Sequence, residues 1–234
     1  MNYREFTTAL AVGALKNLAL TDPNDKSVIL TEHLLMVVTH LNQGLTALYS
    51  RFLLSEKLLI LDYTPGTSFY YLRNEFAKSN TTDVVPVKYI DDEFTEDFTE
   101  DIIRVVTVYD SEGVEVPLNE PDEELSVFLP QYDCLQITDV HEESSFSILY
   151  QARHKIISGL VATQEIQLPF FLEDALQSYV AGKIISNMGG KDNAFKGIEL
   201  MTNYENICVR SEQKDLTATS MATENSKLDN RGFS

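Results

Sequence analysis

Asp91-Asp92-Glu93 and Glu120-Pro121-Asp122-Glu123-Glu124 crowd carboxylate oxygens within a few positions, the donor set that a hard cation such as calcium takes. Neither run has the spacing of an EF-hand, with its central Gly and closing Glu, so no metal is expected and the acids read as a solvated face. His33 and His40 stand seven apart on one segment, and His141 and His154 fall in another. None belongs to an HExxH pattern or neighbours a spaced Cys, so all four read as core or surface histidines. A serine nucleophile would want a G-x-S-x-G turn, which is missing. Cys134 and Cys208 belong to no CxxC pair and carry no local nucleophile signature, and they read as two buried thiols in a reducing compartment. Gly189-Gly190-Lys191 ends like a phosphate loop but lacks the upstream Gly spacing and the following Ser or Thr, and a turn between helices accounts for it. The chain is therefore expected not to be an enzyme and to need no cofactor.

The bulk composition narrows the classes further. In 234 residues, 36 acids face 18 Lys and Arg, a formal net charge of -18. Sequence-independent binding to phosphate comes from Lys and Arg displacing counterions, so neither nucleic acid nor an anionic membrane suits this chain. With 44% hydrophobic residues and few Gly and Pro, one or two ordinary domains with a real core fit the length. The apolar stretch Ala9 to Leu15 superficially resembles a leader peptide, but Glu5 and Lys16 flank it wrongly. Val28 to Val38, broken by Thr31, Glu32 and His33, falls short of the ~18 apolar residues a membrane span needs. A soluble, unexported protein is expected.

Most of the charge sits in one place. Fifteen carboxylates lie between Asp83 and Glu124 against Lys88 and Arg104, a local balance of -13. Within that stretch Phe94-Thr95-Glu96-Asp97 is echoed by Phe98-Thr99-Glu100-Asp101, too short for a repeat fold and best read as two aromatics tucked under an acidic loop.

The periodicities that would position these groups divide the chain into three. Phe6, Leu10, Ala14 and Leu18 recur every four residues, predicting a helix over Tyr3 to Leu18, and Asp22-Pro23-Asn24-Asp25 stops it. A second helix should run from about Ser27 toward Tyr49 on the stripe Leu30, Leu34, Val37 or Val38, Leu41, Leu45 and Leu48. Short β-branched and aromatic segments follow. Lys57 to Tyr63 and Thr67 to Leu72 read as a hairpin about Thr64-Pro65-Gly66, and Ile102 to Tyr109 with Val114 to Leu118 as another about Asp110-Ser111-Glu112-Gly113. Further strands are expected at Ser126 to Leu129, Cys134 to Ile137 and Ser147 to Ala152. Helical period returns at Leu168-Pro169, with Leu172, Ala175, Leu176, Tyr179, Val180 and Ile184 as the buried stripe and Gly189-Gly190 as a left-handed cap. A last helix from Asp192 or Asn193 should bury Phe195, Ile198, Met201, Tyr204 and Cys208. Beyond Asp215 the composition cannot support a core, and an extended tail, disordered in the isolated protein, is expected.

The fold class expected is thus α+β. The N- and C-terminal helices (1–50 and 168–214) form one helical domain, a small antiparallel β domain (51–167) is inserted into it, and a tail (215–234) extends beyond.

Within this frame, Leu48-Tyr49-Ser50-Arg51-Phe52-Leu53-Leu54-Ser55-Glu56-Lys57-Leu58 and the following segment to Tyr70-Tyr71-Leu72 resemble the helix-to-sheet junction of phage head-to-tail adaptor proteins, the connector or tail-tubular type of short-tailed phages. Val108 to Gly113 with Val116-Pro117-Leu118-Asn119, then Leu135-Gln136-Ile137, then Ile166-Gln167-Leu168-Pro169 opening a helix that closes at Met188-Gly189-Gly190, agree in the same order over roughly residues 25 to 215. The resemblance implies a non-enzymatic virion protein of the neck between capsid and tail, assembled in the host cytoplasm as a ring, in such adaptors a twelvefold one. The helical domain would build the ring, the tail would dock on the portal protein, and the inserted domain would face the periphery or the downstream tail or nozzle protein. Genomic DNA would pass through without specific binding, and an acidic wall suits such a conduit because it repels phosphate. Within the tail, Leu228, Arg231 and Phe233 form an apolar and cationic set suited to portal docking, since aromatic and Arg anchors carry much of the energy at interfaces. The strongly acidic insertion departs from the family pattern. The charge also fits a second class, an acidic DNA mimic that inhibits a nucleic-acid-binding protein, which would spread its carboxylates along a continuous face and need no tail.

Overall fold

The structure, a computed structural model, describes residues 1–16, 18–83, 85, 87–93, 96–123, 126–137, 145–214 and 216. Helix α1 (Tyr3–Val12) opens on a reciprocal cap: Asn2 Oδ1 accepts from the Glu5 amide at 2.9 Å and Glu5 Oε2 accepts from the Asn2 amide at 2.8 Å. It ends at Gly13 rather than at Leu18. The four-residue period runs on through Ala14 and Leu18, but the chain has already turned, and Leu15 is the residue it buries. Helix α2 (Thr31–Arg51) likewise starts later than Ser27, because the segment before it is occupied otherwise. Thr21 and Ile29 form an antiparallel bridge across the turn at Pro23, where Asp22 Oδ1 accepts from the Asn24 amide at 2.7 Å.

Two antiparallel sheets follow. The first has strand order β3-β1-β8-β4-β5 and is built from β1 (Glu56–Asp62), β3 (Ile90–Asp91), β4 (Ile102–Tyr109), β5 (Glu115–Val116) and β8 (Ser145–Ala152). The second has order β2-β7-β6, from β2 (Phe69–Tyr71), β6 (Val127–Gln131) and β7 (Cys134–Ile137). The hairpin expected at Thr64-Pro65-Gly66 is not one. The turn is there, with Gly66 at φ 84° and the Thr67 amide donating to Thr64 O at 3.0 Å, but β1 has β3 on one edge and seven paired residues of β8 on the other. With both edges filled, β2 crosses to the second sheet and pairs with β7. The β4–β5 hairpin forms as expected, closed by Gly113 at φ 80° and by Asp110 Oδ1, which accepts from the amides of Glu112 and Val114. The two sheets share one core, in which Leu61, Tyr70, Val108, Val127, Leu135, Phe146 and Ile148 are fully buried.

Helix α3 (Glu173–Asn187) follows a short 3-10 turn at Phe170–Leu172, and α4 (Lys191–Gln213) follows the Gly189-Gly190 turn, where φ is 74° and 87°. Buried residues occur all round α3, which packs against both α2 and α4. A second core joins Phe6 and Leu10 of α1 to Leu41, Leu45 and Leu48 of α2, Leu176, Val180 and Ile184 of α3, and Tyr204 and Cys208 of α4. The connector from β8 to α3 packs with the helices. Ile157 and Ile166 belong to their core, and Asn2 bridges Glu165. The fold is α+β, with four helices and antiparallel sheets. Among the described residues no helix is long and apolar enough to cross a membrane.

Candidate functional site

The acidic segment is only partly a solvated face. Asp92 is 1% exposed, and its carboxylate accepts from the Ser79 amide (2.9 Å), the Ser79 hydroxyl (2.5 Å) and the Phe98 amide (2.9 Å). Burial alone would raise its pKa, but these donors together hold it below the usual carboxylate range. Asp101 is nearly as buried, accepting from Lys57 Nζ at 2.8 Å and from the Tyr150 hydroxyl at 3.0 Å. Asp91 and Asp62 share Lys78, each at 2.7 Å, and Glu100 accepts from the Asn74 amide. These acids hold the turns of the sheet layer in shape. Phe98 is buried as the echo suggested, whereas Phe94 and Glu124 lie outside the described residues. Among the described residues, no three His, Cys, Asp or Glu side chains come together in a way that could hold a metal ion.

A cleft of about 450 Å³ lies where the sheet layer meets the helices, lined among others by Lys57, Asp101, Arg153, His154 and Lys155. Its histidine is committed to the fold: His154 is buried, with Nε2 at 3.1 Å from Thr46 Oγ1 and Nδ1 at 3.0 Å from Lys155 O. Burial pushes its pKa down. Both ring nitrogens are thus occupied, and Lys57 is held by Asp101. His33 sits beside Glu32, and His40 hydrogen-bonds Gln43, both half-buried on α2, while His141 lies outside the described residues. Cys134 and Cys208 are both buried free thiols, their pKa values raised first of all by burial. Gly189-Gly190 makes the inter-helical turn, with Asn193 Nδ2 donating to Gly189 O.

The features that stand out are apolar and exposed. Phe195 and Ile198, expected in the buried stripe of α4, are 73% and 63% exposed. The rest of that stripe, Met201, Tyr204 and Cys208, packs inward as expected, joined by Gly197, which lies against Gly182 and Ser186 of α3. Gly197 has no side chain and so left no hydrophobic mark in the sequence, although a glycine inside a strong helix is the usual sign of close helix contact. Leu35 of α2 is 77% exposed and Leu160 of the connector 90%, with Phe170 and Val161 also exposed. The sequence reading singled out none of Leu35, Leu160, Val161 or Phe170. The proposed docking residues Leu228, Arg231 and Phe233 lie outside the described residues.

No protein-family model matches the chain, and no curated protein matches it.

Proposed function

We propose that this chain is a structural, non-enzymatic virion protein of the head-to-tail adaptor type, forming a ring that joins a portal to a tail and continues the DNA channel. The observation that carries this reading is the set of large apolar side chains standing in solvent on the helical layer, namely Leu35, Leu160, Phe170, Phe195 and Ile198. Such side chains mark surfaces meant to be covered by protein. Charge is distributed to match. Between Glu56 and Ala152 there are 22 carboxylates and 5 Lys or Arg, whereas the rest of the chain is close to neutral. Copies can then associate through the helices while the sheet layers, which repel one another and repel phosphate, stay apart. The ordered resemblance at the helix-to-sheet junction supplies the neck location, the portal partner and the assembly route. The tail with Leu228, Arg231 and Phe233 is the portal-docking element.

Native mass spectrometry of the chain, alone and with a portal ring, tests this. A closed oligomer that captures the portal, and loses that capture on deletion of residues 216 to 234 with its melting unchanged, is the expected result. A chain that stays monomeric, ignores the portal and instead inhibits a nucleic-acid-binding enzyme would replace the adaptor with the acidic mimic.

A further inference from the structure

The exposed apolar residues of the helical layer fall into two separate patches. One is on α4. Gly197, Tyr204 and Cys208 turn toward α3, and Phe195 and Ile198 point away from it, with Lys191, Asp192 and Glu199 within one turn. The other is on the far flank of α2. Gly44 and His40 of α2 face α3, where a Cβ on Gly44 would meet Leu176 and Tyr179 and where His40 Nε2 stands 3.5 Å from Asn187 Nδ2. The side of α2 that carries Val38, Asn42 and Thr46 is turned away from α3 and is covered by the connector instead. Thr46 meets His154, Asn42 exchanges two hydrogen bonds with the main chain of Ile157, and a Cβ on Gly159 would lie 2.5 Å from Val38 Cγ2. One turn before Val38, Leu35 stands exposed, and just beyond Gly159 the connector carries the exposed Leu160 and Val161. Glu32, on α2, and Arg4, whose amide donates to Ala162 O, border this second patch.

Helices α2 and α4 run in the same direction, both packed on an antiparallel α3, with Tyr179 of α3 touching both Gly44 and Tyr204, and Arg51 of α2 paired with Glu205 and Glu212 of α4. His40 is level with Asn187, and Gly197 is level with Gly182 and Ser186. Both patches therefore lie toward the same end of the helical layer, one on α4 and one on α2 with the connector.

Resting on the adaptor reading, we infer that the Phe195/Ile198 face of α4 in one subunit docks on the Leu35/Leu160/Val161 patch of the next, a second copy of this chain being the occupant of each. Two different patches on one molecule give a head-to-tail contact, which closes into a ring when the rotation per step divides the circle. Their borders carry complementary charges at two points, Lys191 opposite Glu32 and Arg4 opposite Glu199, with Asp192 left to solvent. Outside residues 56–152 the chain holds 13 Lys and Arg against 14 acids, so no net repulsion opposes the approach of copies through this layer.

The test uses two full-length variants, Phe195→Asp/Ile198→Asp and Leu35→Asp/Leu160→Asp, with the parent alongside, by native mass spectrometry and sedimentation. All four positions are largely exposed, so both variants should melt with the parent; if either melts early, the corresponding Ser variants take its place. Each variant alone should be monomeric, and the equimolar mixture should give a pair of chains and nothing larger, since only one functional contact remains between them. A variant that still assembles like the parent, or two monomeric variants that stay monomeric when mixed, would overturn the pairing while leaving the ring intact. A monomeric parent would overturn the adaptor reading and the pairing with it.

Discussion

Gly182 of α3 and Gly197 of α4 face one another so closely that a Cβ on Gly197 would lie 3.2 Å from the Gly182 carbonyl oxygen and overlap Ser186 Oγ. The two helices meet backbone to backbone, and the approach brings Met201 onto Gly182. Gly197→Val forces them apart. Overpacking of a close contact costs about 1–3 kcal/mol, against a propensity gain of a few tenths. Urea denaturation should show a loss of about 2 kcal/mol.

Asp92 gives a pH-dependent prediction. Its folded pKa lies below the unfolded value of ~3.9, so its contribution is present above that value and is lost as pH falls through the folded pKa. Asp92→Asn turns an amide NH2 toward one of the N–H or O–H donors now served by the carboxylate. At neutral pH this should cost about 2 kcal/mol. The gap between parent and variant, read from urea midpoints, should shrink as the pH is taken below ~4.

Gln151 ties the layers together. Its side-chain amide donates to the main-chain carbonyls of Tyr49 and Phe52, and its oxygen accepts from Arg104 Nε at 2.8 Å. Gln151→Ala strands two carbonyls at the layer junction and should cost about 2–3 kcal/mol. Arg104→Met strands one oxygen rather than two and should cost less, about 1 kcal/mol. Equilibrium unfolding of the two variants side by side checks the difference.

His154 has its pKa lowered by burial, so the unfolded chain takes up a proton first as pH falls below ~6.5. Stability from this residue is therefore full above ~6.5 and declines below it. Denaturant midpoints for the parent and for His154→Gln should converge between about pH 7.5 and 5.5.

Local signals placed most of the elements correctly. The glycine pair at 189–190, the Asp110 to Gly113 loop and the stripes of α2 and α3 all follow from chemistry within a few residues. What lay beyond reach was pairing across distance. The turn at Thr64-Pro65-Gly66 is real, yet nothing near it shows that β8, some ninety residues on, has claimed the edge of β1. On α4 the expected stripe advances by threes from Phe195 to Tyr204 and so drifts around the helix, which leaves Met201, Tyr204 and Cys208 on the buried face and Phe195 and Ile198 off it. Asp92 reads like its neighbour Asp91, because only the fold decides which of two adjacent carboxylates turns inward to Ser79 and Phe98. For the candidate site, the sequence offered tail residues, while the exposed residues of α2, α4 and the connector become visible only when the buried faces are known.

The chain leaves the helices after Phe52 and returns to them after Ala152, and at that crossing the Ala152 amide donates to Ser55 O at 2.9 Å while Glu56 lies opposite Gln151. To the helices, everything from Glu56 to Ala152 is thus a loop whose ends are already joined. The entropy of closing a loop rises only slowly with its length. Descent can accordingly lengthen, prune or exchange the rest of the sheets, and change their charge wholesale, while the helices need accommodate only the ends of β1 and β8 and Ile103 of β4.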